Sequence, residues 1–166
     1  MNWPYVIMAL VTVQRLAELA IDRRNTARLL AGGAFEVGAA HYPAIVALHA
    51  LWIATLWATV GGREIDLALL AVYGVLQLFR AWVLMTLGRR WTTRIIVTPN
   101  LPLVTGGPFR FLRHPNYAVV TAEIAVLPLM FGLVWVAIAF SLANALFLSI
   151  RIRAENNALY GGGSSR

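Results

Sequence analysis

AVVTAEIAVLPLMFGLVWVAIAFSLANALFLSIRI, Ala118 to Ile152, is the stretch that decides the fold. It is nearly unbroken in apolar character. One straight helix over it would be about 50 Å long, against a hydrocarbon core of roughly 30 Å. Pro128 and Gly132 fall near its middle, where a helix is readily interrupted. The stretch therefore predicts a tight helical hairpin of two short helices, turning near Met130 to Leu133.

Three more apolar segments of spanning length lie upstream: Trp3–Ile21, Tyr42–Val60 and Ile65–Leu87. Asp22–His41 is polar and contains glycine, so it reads as a loop with one short interfacial helix at most. Composition agrees. Of the 166 residues 60% are hydrophobic and 13% charged, where soluble domains carry roughly 25% charged residues. Mean hydropathy is +0.70. The fold class expected is all-α: one integral membrane domain over residues 1–160 with five transmembrane helices, the last two forming the hairpin. Residues 161–166, GGGSSR, read as a flexible linker-like tail. The apolar start has no early basic segment and no small-residue cleavage site before a soluble domain, so no signal peptide is expected. Cysteine is absent, which removes disulfides and thiolate metal sites.

The formal charge of +7 comes from arginine alone. With five spans and the N-terminus outside, 11 of the 14 arginines fall on the cytoplasmic side: Arg23, Arg24, Arg28, Arg89, Arg90, Arg94, Arg110, Arg113, Arg151, Arg153 and Arg166. Only Arg63 is outside. This is the positive-inside distribution, and it places the C-terminus in the cytoplasm. The basic charge thus follows topology and anionic lipid headgroups, and no nucleic-acid partner is expected.

The two remaining arginines, Arg15 and Arg80, lie inside predicted spans, where a charge costs about 2.5–3.5 kcal/mol and usually faces a cavity or a partner. Counted from the cytoplasmic ends, Arg15, Arg80, Glu123, His49 and Asn144 share one depth, roughly 9–12 Å below the boundary. Gln14 and Gln77 share it too, and Gln77 lies on the Arg80 face by i, i+3 spacing. One explanation is mutual pairing, such as Arg15 with Glu18. The other, favoured here, is a polar pocket open to the cytosol. His41 and His49 read as structural, and three histidines at scattered depths give no metal-ligand spacing.

The loop GGPFRFLRHPNY carries strong backbone control. Gly106 and Gly107 permit turns or close approach of a ligand, Pro108 fixes φ, and Pro115 suits a first helical turn with His114 at the N-cap. A helix start there offers free N–H groups to a carboxylate. Interfacial anchoring alone would also use Arg, His, Phe and Tyr. The order L-G-x-x-W (Leu87–Trp91), L-V-T-x-G-P-F-R-F-L-R-H-P-N-Y (Leu103–Tyr117), Glu123 and R-I-x-x-E (Arg151–Glu155) resembles the isoprenylcysteine carboxyl methyltransferase family. The resemblance covers roughly Val72 to Leu159. R-H-P-N-Y alone is shared with phospholipid methyltransferases and NADPH-dependent sterol reductases; joined to R-I-x-x-E after a hairpin it is more specific.

The resemblance implies a membrane enzyme using S-adenosylmethionine, bound on the cytoplasmic side by the loop, the hairpin and the C-terminal segment. By carry-over the cofactor residues are Leu103, Val104, Gly106, Gly107, Phe109, Arg113, His114, Asn116, Tyr117, Arg151 and Glu155. Glu155 suits ribose hydroxyls or an amino group, and His114 and Tyr117 suit the methionine carboxylate. Val119 stands where the eukaryotic pattern H-P-x-Y-x-G has glycine, and Asn156 stands where it has a second acid. In this the chain looks more like a bacterial branch associated with type III polyketide synthases, which methylates hydroxyls of long-chain alkylpyrones and alkylresorcinols. The acceptor expected is lipophilic, either such a polyketide or an isoprenylcysteine-like carboxylate. Arg80 is the candidate that positions the acceptor oxygen. Glu123 is its partner or, for a neutral phenol, the base. An NADPH-dependent membrane reductase and a non-enzymatic membrane scaffold are the competing readings.

Overall fold

The structure, a computed structural model, describes residues 2–99 and 101–160; the tail 161–166 lies outside the described residues. Five helices dominate: α1 (Trp3–Ala31), α2 (Tyr42–Thr59), α3 (Leu67–Leu87), α4 (Pro115–Met130) and α5 (Val134–Tyr160). Two three-residue strands, β1 (Phe35–Val37) and β2 (Ile95–Val97), pair antiparallel with Phe35 opposite Val97 and Val37 opposite Ile95. Among the described residues this small ribbon is the one departure from an all-helical chain.

The helix ends follow local chemistry. Proline occupies the first turn of α1, α2 and α4, where its missing N–H costs nothing. Asp66 caps α3, its carboxylate accepting from the backbone N–H groups of Ala68 and Leu69 at 2.9 and 3.0 Å, a contribution of about 1 kcal/mol. The hairpin turns where expected. Gly132 takes φ +69°, and the amides of Gly132 and Leu133 return to the carbonyls of Leu129 and Pro128, each at 2.9 Å.

The first helix corrects the sequence reading. Asp22–Ala31, expected as loop, continues α1 without a break until Gly32 and Gly33. The segment contains no glycine or proline, and its polar residues Asp22, Asn25 and Thr26 are buried against other parts of the protein. Tertiary contact thus sustains a helix that hydropathy would end at the membrane boundary.

By length and apolar composition α1, α2, α3 and α5 can each cross a membrane. The 16 residues of α4 make it a shorter apolar helix, about 24 Å long. Large apolar side chains face outward along the bundle, among them Leu10, Leu78, Met85, Trp135 and Leu142, as they do on a lipid-facing surface. The protein is an integral membrane protein.

Burial is graded along the bundle. Met8 and Val11 of α1, Leu56 of α2, Tyr73 of α3 and Leu127 and Met130 of α4 form the apolar core at one end. Polar side chains occupy the middle, and the ribbon and the loop before α4 lie at the other end.

Candidate functional site

The middle layer is a closed network contributed by three helices. Arg80 donates from Nε and Nη2 to the two carboxylate oxygens of Glu18, each at 2.5 Å, and from Nη1 to Glu123 at 2.7 Å. Arg15 donates to Glu18 at 3.0 Å and to Glu123 at 2.7 Å. Gln14 donates to Glu18 and to Gln77, and Gln77 donates to the second oxygen of Glu123. Arg80 and Glu123 are 5% and 1% exposed, so the bonds form out of reach of bulk water. Charges this deep survive only when paired and hydrogen-bonded, and here two guanidiniums balance two carboxylates.

Two residues of the expected layer stay outside the network. His49 bonds through Nδ1 to the carbonyl of Ile45 in its own helix, and Asn144 reaches Thr121 at 3.5 Å. Glu18 is the long-range partner that sequence spacing did not supply; it reads there only as a neighbour of Arg15.

The other candidate region is a cleft of about 420 Å³ at the loop end of the bundle. That size falls within the range of ligand pockets, about 300–1,000 Å³. Of the expected cofactor residues, Leu103, Val104, Phe109 and Arg113 line it from the loop. His114, Asn116 and Tyr117 line it from the start of α4, and Arg151 and Glu155 from α5. Gly106 and Gly107 do not. Gly107 instead lets the loop close on α3: it has φ +57°, and a Cβ there would sit 2.5 Å from the Thr86 hydroxyl. Arg80 and Glu123 are also absent from the lining, which places them in the layer below the cleft.

Inside the cleft the motif residues are tied together. The Tyr117 hydroxyl donates to Glu155 and accepts from Arg151 Nε at 2.8 Å. Arg151 Nη2 donates to the Thr93 carbonyl. His114 stacks on Tyr117 with ring centres 5.3 Å apart, and its Nδ1 lies 3.7 Å from Glu155.

The opposite wall, Arg90 to Pro99, was missed as a lining segment although Trp91 belongs to the L-G-x-x-W string. It is held by the C-terminal extension of α1. Asp22 accepts from the Thr93 N–H at 2.6 Å, and Asn25 donates to the carbonyls of Trp91 and Gly88 at 2.8 and 3.2 Å. The ribbon adds a bridge from Arg94 to Glu36 at 2.9 Å, with the guanidinium 4.3 Å above the Tyr42 ring. Desolvation works against the Arg94 charge, but the Glu36 hydrogen bond and charge outweigh it and hold its pKa above the ordinary guanidinium value. Trp91 Nε1 and Asn116 Oδ1, both on lining residues, are buried without a hydrogen-bond partner among the described residues. Such atoms are costly unless something polar meets them.

Comparison with known proteins gives the same region a family. The chain is 40% identical over 160 residues to an uncharacterized protein of Bacillus subtilis (strain 168), YpbQ, covering 93% of this chain and 95% of that protein. It is 25% identical to an uncharacterized protein of Haemophilus influenzae (strain Rd KW20), covering 93% of each. No solved structure matches. Residues 68–161, which hold α3, the cleft-forming loop and the α4–α5 hairpin, match the isoprenylcysteine carboxyl methyltransferase family, and the chain belongs to that family of membrane methyltransferases.

Proposed function

We propose that the protein is an S-adenosylmethionine-dependent O-methyltransferase. Its acceptor is lipophilic: a long-chain polyketide hydroxyl, as in an alkylpyrone or alkylresorcinol, or an isoprenylcysteine-like carboxylate. The observation that carries this reading is convergence. His114, Asn116 and Tyr117 meet Arg151 and Glu155 in one cleft, although some 35 residues of apolar hairpin separate the two groups in sequence.

The cleft suits the cofactor chemically. Glu155 is an acceptor for hydroxyl or amino groups, Arg151 a cation for a carboxylate, and the stacked His114–Tyr117 pair an aromatic wall. Trp91 Nε1 and Asn116 Oδ1 offer a donor and an acceptor awaiting partners. Bound there, S-adenosylmethionine supplies an electrophilic methyl group. The protein's own work is to align the acceptor oxygen and keep water away. Arg80 holds that oxygen from the layer below, and Glu123 takes the proton of an acceptor that arrives as a hydroxyl.

Calorimetry on protein purified in detergent tests the reading, with S-adenosylmethionine and NADPH titrated separately. Binding of the first and not the second is expected. His114→Ala and Glu155→Ala should each weaken it about ten- to a hundred-fold, the scale of one charged hydrogen bond. Unchanged affinity in both variants would remove these residues from the site.

We further propose that the N-terminus faces outward and the C-terminus the cytoplasm, with α4 completing five spans. Cysteines at Arg63 and Trp135, both exposed, should then react with an impermeant thiol reagent from outside, and one at Arg28 should not. Met130 at the same hairpin is fully buried and would report nothing. Labelling of Trp135→Cys only from the cytoplasmic side would end the five-span arrangement.

A further inference from the structure

The buried network divides its charge unevenly. Glu18 places both oxygens on the Nε–Nη2 edge of Arg80, while Glu123 meets only Nη1. The Nε–Nη2 edge is one of the two on which a carboxylate ligand can form a parallel pair of hydrogen bonds, and the other includes Nη1, which Glu123 already engages. The Nε–Nη2 edge is filled by a side chain of α1, a helix outside residues 68–161 that match the family.

The electrostatics of the layer point the same way. Arg15 and Arg80 are balanced by Glu18 and Glu123. A further carboxylate would bring an uncompensated negative charge into a water-poor interior, whereas an un-ionised hydroxyl brings none. The layer also has a neutral polar group unengaged. The Tyr73 hydroxyl is buried without a hydrogen-bond partner among the described residues, within electrostatic reach of Arg15, Arg80 and Glu123. Tyr73, Gln77 and Arg80 follow one face of α3 at i, i+4 and i+7. A phenolic hydroxyl both donates and accepts, which is what a neutral hydroxyl ligand needs.

We propose that Glu18 is a specificity-determining residue, which by filling the two-nitrogen edge of Arg80 restricts the layer to an un-ionised hydroxyl acceptor and turns away a carboxylate. The proposal rests on the methyl-transfer reading and narrows its acceptor class to the hydroxyl.

Glu18→Gln tests it, because glutamine keeps the shape and removes the charge that fills the edge. The first readout needs no turnover: the melting temperature of protein in lipid nanodiscs, with palmitate or hexadecanol added. A ligand that binds the folded state raises that temperature by mass action. Palmitate should raise it for Glu18→Gln and not for wild type, and hexadecanol should not distinguish the two. Palmitate stabilising both proteins equally, or neither, would overturn the proposal.

The second readout is competition for methyl transfer between a long-chain phenol and a carboxylate of equal chain length. Wild type should favour the phenol. In Glu18→Gln the ratio should move at least tenfold toward the carboxylate, with S-adenosylmethionine affinity unchanged; Glu18→Asp, which keeps the charge, should stay near wild type. An unmoved ratio, or a wild-type preference for the carboxylate, counts against Glu18. Failure of wild type to bind S-adenosylmethionine would instead bring down the methyl-transfer reading, and the palmitate result would still judge the filled edge.

Discussion

Replacing Arg80 with leucine is expected to lower methyl transfer to a lipid acceptor by about a hundred-fold, the scale of one lost positioning contact. From the sequence alone, leucine at this position cheapens insertion of α3 and predicts normal expression. The network reverses the second half of that expectation. Without Arg80, Glu18 and Glu123 share Arg15 as their one cation in the network. Breaking a buried pair in this way typically costs about 3–5 kcal/mol. The variant should therefore melt lower as well as work more slowly, and the two effects have to be separated. Arg80→Leu combined with Glu18→Leu removes one charge of each sign and leaves Arg15 paired with Glu123 at 2.7 Å. The double variant should recover most of the melting temperature and little of the turnover. Arg80→Lys should fall between, since one ammonium cannot span two carboxylates as the fork does. If the double variant recovers turnover in step with stability, Arg80 is a structural ion and not an acceptor contact.

The hairpin was legible because its signals are local. A run too long for one span, a proline and a glycine leave few other solutions, and the turn at Phe131–Leu133 sits where they put it. Of the side chains carried over with the family strings, nine line the cleft. What could not be read was whatever depends on distant partners. Asp22, Asn25 and Thr26 look like loop polarity until the segment 88–93 that two of them bind is in place. The ribbon pairs residues about 60 apart and is too short to show any alternation. Gly107 reads as a ligand-approach glycine, yet the Thr86 side chain, on a different element, is what requires it. The intramembrane polar layer falls between these cases. Equal depth on several helices is visible in sequence. Which carboxylate meets which edge of Arg80 depends on helix rotation, and hydropathy carries no record of that.

The same dependence on distant partners makes Arg151 the most consequential position in the cleft. Its guanidinium joins three elements, donating to the Tyr117 hydroxyl on α4 and to the Thr93 carbonyl in the loop that α1 holds, while itself belonging to α5. Arg151→Ala removes two charge-assisted hydrogen bonds at once, each worth about 1.5–3 kcal/mol. S-adenosylmethionine affinity should fall by a hundred-fold or more, a larger loss than for either His114→Ala or Glu155→Ala. Tyr117→Phe should lose about tenfold: it cuts the link between Arg151 and Glu155 but keeps the ring on which His114 stacks. Arg151→Lys should lie between, because a point charge can reach the tyrosine or the carbonyl but not both. A strut and a ligand contact predict different responses to the ligand's own charge. If Arg151 meets the methionine carboxylate, decarboxylated S-adenosylmethionine should bind wild type poorly and lose little further in Arg151→Ala. If it only braces the walls, both ligands should weaken by the same factor. Wild-type affinity in Arg151→Ala, with a lowered melting temperature, would leave it holding the bundle together and remove it from the cofactor site.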